Sequence, residues 1–351
     1  MAFGKISGVR IKGITTVVPT IKVDNLDVPA DALPARERLV RNIGIRYRRV
    51  CREGQIFSDL VQSACEDVLS KLDWSKDSVE VLLLVTQSGE YIIPATCIIL
   101  QDRLGLPKST LSFDINLGCS GYPYGVATLA SMMKTMGFKR GVVLIGDQSA
   151  SSGSPDSGRE ILFSDCGTAT ALELDDSAPD MYFDGNSDGS GALAIVVPHG
   201  GKRHPATAES HQYRLMEDGV TRKMTDVHLD GPSIMNFSIG TVPGALEGMV
   251  NYMGSSFEKV DYFVLHQANK MINETIRKKM KLPEEKFPLT LYDYGNTSSA
   301  TIPITVCHKL KSAIQQGPRK IVACGFGIGL SWATLAMELG PDTYISDVLE
   351  V

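Results

Sequence analysis

The sequence predicts an α/β protein whose β-sheets are covered by helices on their faces. Short runs rich in Val, Leu and Ile, bounded by Gly, Asp or Ser, are typical of buried strands. Between these runs lie amphipathic stretches with apolar residues near i, i+3, i+4 and i+7, which predict helices. In chain order, the predicted strands are Val79–Thr86, Arg140–Gly146, Ala192–Val197, Val260–Leu265 and Lys320–Ala323. The predicted helices are Asp59–Leu72, Tyr124–Met136, Gly244–Met253, Asn269–Met280 and Thr301–Gln316.

The length of the chain indicates two domains or one large duplicated unit. At about 100–200 residues per domain, the 351 residues suffice for either arrangement. The segment 172–190 is acidic and rich in Gly and turn-forming residues, so the boundary is expected there. We therefore predict two halves, 1–175 and 176–351. Each contains an apolar strand, a short polar turn and a helix that carries a candidate chemical residue.

Composition and charge argue against several classes of protein. Hydrophobic residues make up 43% and charged residues 21%, which is typical of globular proteins and not of disordered chains or fibres. The net charge of −5 offers no basic excess for nucleic acid or an anionic membrane. No apolar run reaches the roughly 18 residues of a membrane helix, and the first residues lack the apolar region of a signal peptide.

The cysteine and histidine spacing predicts neither a metal site nor another cofactor. There are seven cysteines, an odd number, with no CxxC pair and no His-x-x-x-His. The glycines of Gly325–Gly329 follow a GxGxG pattern, not the GxGxxG of dinucleotide-binding proteins. We expect a cytoplasmic protein with reduced thiols.

Cys119 is the strongest candidate nucleophile. It lies in the segment Gly118-Cys119-Ser120-Gly121, at the turn between a strand and the helix Tyr124–Met136. Free backbone N–H groups and the positive end of the helix dipole favour a thiolate, so a lowered pKa is expected here. The alternative is a small buried core residue, which is a common role for cysteine. The other six cysteines lack this setting.

His266 is a candidate for proton transfer or oxyanion stabilisation. It closes the apolar strand Val260–Leu265 and precedes a helix, and in α/β proteins such strand ends face the ligand crevice. A neutral imidazole there can donate a hydrogen bond from Nε2–H to an enolate or carbonyl oxygen, or it can move a proton near neutral pH. The alternative is a capping or core histidine.

Two further segments suit the stabilisation of an oxyanion. Asn296, in Gly295-Asn296-Thr297, carries an amide that donates hydrogen bonds without taking up protons. The alternative is a helix-capping or turn asparagine. The glycines of Gly325-Phe326-Gly327 end a predicted strand and allow the backbone to approach a ligand closely.

The ordered set of these four segments resembles the β-ketoacyl-ACP synthase III family of the thiolase superfamily. The segments are Gly118-Cys119-Ser120-Gly121, His266-Gln267-Ala268-Asn269, Gly295-Asn296-Thr297-Ser298 and Gly325-Phe326-Gly327. The similarity extends from about residue 5 to about residue 338. The resemblance implies a duplicated thiolase fold with five layers, α-β-α-β-α, and a homodimer.

The resemblance also implies a reaction and its site residues. An acyl group is transferred from acyl-CoA or acyl-ACP to Cys119, and malonyl-ACP then decarboxylates and condenses with it to give 3-oxoacyl-ACP and CO₂. His266 and Asn296 match the pair that hydrogen-bonds the malonyl thioester oxygen. The backbone N–H groups of Cys119 and Ile328 match the hole for the acyl-thioester oxyanion.

The resemblance also implies substrate-binding and carrier-docking positions, although this sequence departs from the family pattern near some of them. We expect substrate contacts at Arg41, Arg159, Asn269, Phe326 and Ile93; Ile93 matches a position that reaches the partner subunit's acyl tunnel. The segment 36–42 has no Trp to stack on adenine, and Ile328 replaces a Gly. Lys278 and Lys279 match basic positions that dock the acidic carrier protein; the alternative is a solvated helix end.

Two other functions remain compatible with the sequence. The first is an acyltransferase that keeps the acyl-cysteine but does not decarboxylate malonate. The second is a non-catalytic carrier-binding protein on the same fold. Asn296 argues against the first, because such relatives often lose or change the His–Asn pair. The presence of Cys119, His266 and Asn296 together argues against the second, because covalent catalysis needs that set of residues. A papain-like peptidase is less compatible still, since its local cysteine signature is absent.

Overall fold

The protein is mixed α/β over residues 2–150 and 160–351, which are the residues that the computed structural model describes. The strands are β1 (Phe3–Ile6), β2 (Val9–Val18), β3 (Ile21–Asp24), β4 (Tyr47–Val50), β5 (Val81–Val85), β6 (Leu111–Ile115), β7 (Arg140–Asp147), β8 (Cys166–Leu174), β9 (Met181–Ser187), β10 (Ile195–Val196), β11 (Arg214–Leu215), β12 (Thr221–Arg222), β13 (His228–Leu229), β14 (Tyr262–Leu265), β15 (Arg319–Gly327), β16 (Ser331–Leu339) and β17 (Tyr344–Glu350). The helices are α1 (Leu33–Ile43), α2 (Phe57–Lys71), α3 (Thr96–Arg103), α4 (Gly121–Met136), α5 (Gly231–Tyr252), α6 (Lys270–Lys279), α7 (Leu291–Tyr294), α8 (Thr301–Thr305) and α9 (Lys311–Gln316), the last two joined by a π-helical turn, Val306–Leu310.

Two mixed sheets form the centre of the fold. The larger has six strands in the order β17-β2-β8-β7-β5-β6, with parallel pairs at β17/β2, β7/β5 and β5/β6. The smaller has five strands in the order β1-β9-β16-β15-β14, and only β14 and β15 are parallel. Both sheets therefore contain strands that are buried on both faces and that read as continuous apolar runs in the sequence.

The helices form three layers around these sheets. Helix α4 and the α8–α9 segment lie between the sheets, where Tyr122 and Val126 of α4 and Ile302 of α8 share one core with strand residues of both sheets. Helices α2 and α3 cover the outer face of the six-stranded sheet. Helices α5 and α6 cover the outer face of the five-stranded sheet. The predicted five layers, α-β-α-β-α, are confirmed.

Each sheet includes a strand from the opposite end of the chain. Strand β1 pairs with β9 in the five-stranded sheet, and β17 pairs with β2 in the six-stranded sheet. The division into halves at 175/176 stays a prediction. With that division, β1 belongs to the first half but pairs with a strand of the second, and β17 belongs to the second half but pairs with a strand of the first. This exchange ties the two halves together through backbone hydrogen bonds.

The predicted strand Ala192–Val197 was wrong over most of its length. Residues Gly189–Ala194 form a 3₁₀ helix, and only Ile195–Val196 pair as a strand. The carboxylate of Asp188 accepts a hydrogen bond from the backbone N–H of Ser190 and starts a turn. Leu193 is 75% exposed, so the apolar run does not mark a buried strand here.

Candidate active site

Cys119 lies where strand β6 turns into helix α4, against the end of strand β15. A Cβ atom at Gly327 would lie 2.7 Å from Cβ of Cys119 and 3.0 Å from its Sγ. A Cβ atom at Gly325 would lie 2.7 Å from the Cys119 carbonyl oxygen. Glycine at both positions is therefore required for β15 to pass this close to the sulfur. The close approach expected of the Gly325-Phe326-Gly327 segment is directed at Cys119.

The Cys119 thiol is protonated in the free protein, contrary to the thiolate that its position before α4 suggested. Cys119 is only 9% exposed. Burial, together with the nearby carboxylate of Asp147, raises the pKa of the thiol to about 12. The backbone N–H groups of Ile328 and of Cys119 itself lie within hydrogen-bonding reach of Sγ and oppose this shift. Desolvation outweighs these dipoles, so the sulfur needs a base to become a nucleophile.

Asp147 is a buried residue of this region that sequence reasoning missed. It ends strand β7 and is 3% exposed. Its Oδ1 accepts hydrogen bonds from the backbone N–H of Gln87 (2.7 Å) and from the hydroxyls of Thr86 (3.1 Å) and Ser88 (3.2 Å). Burial nevertheless raises its pKa above the usual range. Only its position at a strand end marks it in the sequence.

Two serines hold the turn after β15 next to the start of α4. The Ser331 hydroxyl donates to the carbonyl oxygen of Ile328 (2.7 Å), and the hydroxyls of Ser120 and Ser331 are 2.6 Å apart. Because the Ser331 hydrogen is directed at Ile328, the Ser120 hydroxyl is the donor between the two serines. This bridge fixes the backbone of Ile328 beside Cys119. Neither serine was singled out from the sequence.

His266 is a buried, neutral imidazole at the end of β14. Its backbone N–H donates to the carbonyl of Cys324 on β15 (2.8 Å), and its ring meets the Phe326 ring edge-to-face at 5.6 Å. The residue is 2% exposed. Burial lowers the pKa of His266 to about 4, against a smaller opposing effect of the Ser298 carbonyl. His266 and Cys119 therefore contact the same strand end, Cys324–Gly327.

Asn296 lies beside the turn that follows His266. Its Nδ2 donates to the carbonyl of Ala268 at 3.4 Å, and its Oδ1 accepts from the backbone N–H of Ser298 at 2.9 Å. The bond to Ser298 fixes which end of the amide is the donor. The side chain is thus oriented by its own loop, and Nδ2 keeps a second hydrogen that the Ala268 carbonyl does not use.

The remaining predicted residues lie in three places: in the site, on the surface, or outside the described residues. Phe326 is buried against His266. Asn269 caps α6, because its side chain accepts from the backbone N–H of Ile272 (2.9 Å). Arg41, Ile93, Lys278 and Lys279 are exposed, and Lys279 Nζ bonds the carbonyl of Ile239 (2.9 Å). Arg159 lies outside the described residues.

Residues 2–150 and 160–351 also bear on metal binding and on membrane insertion. Within these ranges, no cluster of His, Cys, Asp and Glu side chains has the arrangement of a metal site. In the same part of the chain, no helix combines the length and the apolarity that crossing a bilayer requires.

Comparisons with known proteins agree on one enzyme family. A model described as 3-oxoacyl-[acyl-carrier-protein (ACP)] synthase III matches residues 113–189, and the model of its C-terminal part matches residues 252–339. A β-ketoacyl-[acyl-carrier-protein] synthase III from Clostridium beijerinckii is 28% identical, covering 95% of this chain and 99% of that protein.

Solved structures give the same result. A 3-oxoacyl-(acyl-carrier protein) synthase from Burkholderia xenovorans is 33% identical, with a TM-score of 0.91 over 100% of this chain and 99% of that chain. A 3-oxoacyl-(acyl carrier protein) synthase III from Pseudomonas aeruginosa, at 22% identity, has a TM-score of 0.78 over 95% of this chain and 98% of that chain, and supports the fold.

Proposed function

Since this chain belongs to the 3-oxoacyl-[acyl-carrier-protein] synthase III family of acyl-transferring condensing enzymes, we propose that Cys119 carries the acyl group in a decarboxylative condensation. One observation carries the assignment of the residues. The end of β15 is in contact with a cysteine whose sulfur two backbone N–H groups approach, and with a neutral buried histidine. This sets a nucleophile and an oxyanion hole beside a proton-transfer group.

In the first half-reaction, Sγ of Cys119 attacks the carbonyl carbon of an acyl thioester. The oxygen that becomes negative is stabilised by the backbone N–H groups of Cys119 and Ile328, which already face the sulfur. By analogy with other oxyanion holes, each donor contributes about 3 kcal/mol to the transition state. The carrier thiol leaves, and the acyl group stays on Cys119.

In the second half-reaction, a malonyl thioester loses CO₂ and the resulting enolate attacks the acyl-cysteine. The developing enolate oxygen needs hydrogen-bond donors rather than a strong base. Asn296 supplies Nδ2, whose orientation the Ser298 N–H fixes. His266 supplies the second contact; it lies two residues before Ala268, whose carbonyl accepts from Asn296 Nδ2 (3.4 Å). The product is a 3-oxoacyl thioester.

We propose acyl-CoA or acyl-ACP as the acyl donor and malonyl-ACP as the extender, as the family implies. Helix α6 ends in Arg277-Lys278-Lys279. Arg277 is paired with Glu274 (2.7 Å) and Glu284 (3.1 Å), whereas Lys278 and Lys279 are exposed. Exposed lysines at a helix end steer an acidic carrier protein toward the site.

We also propose a homodimer, built across the β6 edge of the six-stranded sheet. Next to this edge, the loop residues Tyr91, Ile92 and Ile93 are 64%, 94% and 83% exposed. The Asp114 carboxylate on β6 binds the N–H groups of Thr96 and Cys97 (both 2.8 Å), which anchors the loop to the edge strand. An open strand edge beside exposed apolar residues suits pairing with a second copy, and Ile93 then reaches the partner's acyl pocket.

We expect the reaction to take place in the cytoplasm. All seven cysteines are free thiols. Cys119 must stay reduced to accept an acyl group, and a reducing compartment maintains that state.

The decisive experiment offers acetyl- to octanoyl-CoA to the purified protein and follows the acyl adduct by intact-mass spectrometry, then adds malonyl-ACP and measures CO₂ and 3-oxoacyl-ACP. We expect an adduct on Cys119, none with Cys119→Ala, and normal loading with Cys51→Ala as the matched control. An adduct on Cys119→Ala contradicts the nucleophile assignment. An adduct that transfers to an alcohol or amine without CO₂ indicates the non-decarboxylating acyltransferase.

A further inference from the structure

Ser298 adopts a left-handed backbone conformation, which residues with a side chain rarely do. Its φ is 54°, and it lies two residues after Asn296, between α7 and α8. Asp73 and Lys281 share this conformation, but both are exposed, whereas Ser298 is buried. Such a backbone is strained, and it persists only where the surrounding structure holds it. The contacts of Ser298 show what holds it and what it holds in turn.

The backbone of Ser298 makes two hydrogen bonds that depend on this conformation. Its N–H donates to Asn296 Oδ1 (2.9 Å), and its carbonyl accepts from the Thr301 hydroxyl (2.9 Å). An ordinary α-helical φ would rotate one group relative to the other by about 110° about the N–Cα bond, so the two bonds could not both be kept. The bond from the N–H fixes Oδ1, and it thereby fixes the side from which Asn296 Nδ2 donates. The direction of the Asn296 amide thus depends on Ser298.

The main chain of Asn296 has its own partners, which do not orient the amide. Its N–H donates to the carbonyl of Leu162 (2.9 Å), and its carbonyl accepts from the N–H of Ser164 (3.0 Å). These bonds leave the rotamer of the side chain free. The amide is oriented by the Ser298 N–H and, through a longer bond, by the Ala268 carbonyl (3.4 Å).

The side chain of Ser298 is bound to the carboxylate of Asp147 on β7. Its hydroxyl hydrogen-bonds this carboxylate, and the neighbouring Ser299 hydroxyl donates to Oδ2 at 3.5 Å. The other carboxylate oxygen, Oδ1, accepts three hydrogen bonds from the turn 86–88 that follows β5. Asp147 is 3% exposed, so bulk water does not replace these partners. The carboxylate therefore joins the six-stranded sheet to the loop that carries Asn296.

We propose that Asp147 is a positioning residue for Asn296. Its carboxylate binds the Ser298 hydroxyl and holds Ser298 in the left-handed conformation, and the Ser298 N–H then directs Asn296 Nδ2 toward the malonyl thioester oxygen. This inference rests on the proposed function, because it concerns the half-reaction to which Asn296 is assigned. Acyl loading uses the backbone N–H groups of Cys119 and Ile328 instead, so a misdirected Asn296 should slow the release of CO₂ and leave loading intact.

The test compares Ser298→Ala, which removes the hydroxyl and keeps the strained Cβ, with Ser298→Gly, which removes the hydroxyl but adopts a positive φ without strain. Ser299→Ala is the matched control, because it removes the adjacent buried hydroxyl, which reaches the same carboxylate from a residue without a positive φ. Each protein is loaded from the acyl-CoA that loads best, and loading is followed by intact mass. The release of CO₂ from malonyl-ACP by the loaded protein is then measured in a single turnover.

We expect Ser298→Ala to release CO₂ about tenfold more slowly than the wild type, which is the effect of about one lost hydrogen bond. Its acyl loading should stay within about twofold of wild type. Ser298→Gly and Ser299→Ala should release CO₂ within about threefold of wild type. Wild-type release by Ser298→Ala overturns the proposal. An equal loss in Ser298→Gly also overturns it, because the hydroxyl would then act by itself and not through the backbone.

A second pair of variants tests the carboxylate. Asp147→Ala should slow the release of CO₂ as Ser298→Ala does, and combining it with Ser298→Gly should restore most of the rate, because glycine needs no partner to hold its backbone. A double variant as slow as Asp147→Ala overturns the role of Asp147. Asp147→Ala also frees the donors of the turn 86–88, so its folding is checked by thermal unfolding. If it does not fold, Ser298→Ala and Ser298→Gly, which leave that turn intact, decide the proposal.

Failure of the proposed function gives a different result. A wild type that loads an acyl group but releases no CO₂ overturns the decarboxylative condensation, and a wild type that does not load overturns the nucleophile as well. This inference alone fails when the wild type completes both half-reactions and Ser298→Ala does so at the same rates.

Discussion

Gly327→Ala tests whether β15 must pass directly against the Cys119 sulfur. The added Cβ would lie 2.7 Å from Cβ of Cys119 and 3.0 Å from Sγ, whereas ordinary contacts begin at 3.4 Å. The backbones at Gly327 and Cys119 must therefore separate by about 0.7 Å, and both are part of the closely packed core. Overpacking of this kind costs about 1–3 kcal/mol of the free energy of unfolding.

The larger effect is expected on catalysis. A misplacement of about 1 Å at a reacting centre can cost about 10²-fold in rate. Because the shift moves Sγ relative to the Ile328 N–H, we expect acyl loading of Gly327→Ala to slow about 10- to 100-fold. The assay is single-turnover loading followed by intact-mass spectrometry, with thermal unfolding measured on the same samples.

Gly240→Ala provides the matched control for this substitution. Gly240 lies in α5, and a Cβ there would have nothing within 4 Å. Alanine in a helix is favoured over glycine by about 1 kcal/mol, so this variant should be slightly more stable and load at the wild-type rate. Wild-type loading by Gly327→Ala would refute the close packing of β15 against the nucleophile, and with it the oxyanion hole assigned here.

Three other predictions follow from charges and exposed side chains. Asp147→Asn removes a negative charge near Cys119 and should lower the pKa of the thiol from about 12. Because iodoacetamide alkylates the thiolate, alkylation of Cys119 should then begin at a lower pH than in the wild type. An unchanged pH profile of alkylation contradicts the electrostatic argument. The double variant Lys278→Glu, Lys279→Glu should have a KM for malonyl-ACP about tenfold above that of the wild type, with kcat unchanged. This difference in KM between variant and wild type should shrink as salt is added. Equal KM values for the two proteins count against carrier docking at α6. Ile92→Asp should convert a dimer to a monomer in sedimentation velocity, and a wild-type monomer contradicts the proposed interface.

Much of the fold could be predicted because its signals are local. The apolar runs at Val81–Val85 and Tyr262–Leu265 and the amphipathic stretch at Phe57–Lys71 each reveal their structure within one element. Hydrophobic periodicity is read over a few residues. The strand prediction at Ala192–Val197 was wrong because it, too, used only local information. A short apolar run does not show whether a neighbouring strand exists to pair with it.

The sequence by itself determined the fold class and the family, and it predicted the three residues to which the proposed function assigns chemistry, Cys119, His266 and Asn296. The tertiary structure alone decided the protonation of Cys119 and His266. Asp147 is 28 residues away along the chain from Cys119, and the burial of Cys119 and His266 depends on both sheets at once. A pKa is set by desolvation and by the nearest charges, donors and acceptors in space. Those neighbours exist only after the strands and helices have packed, so no local pattern encodes them.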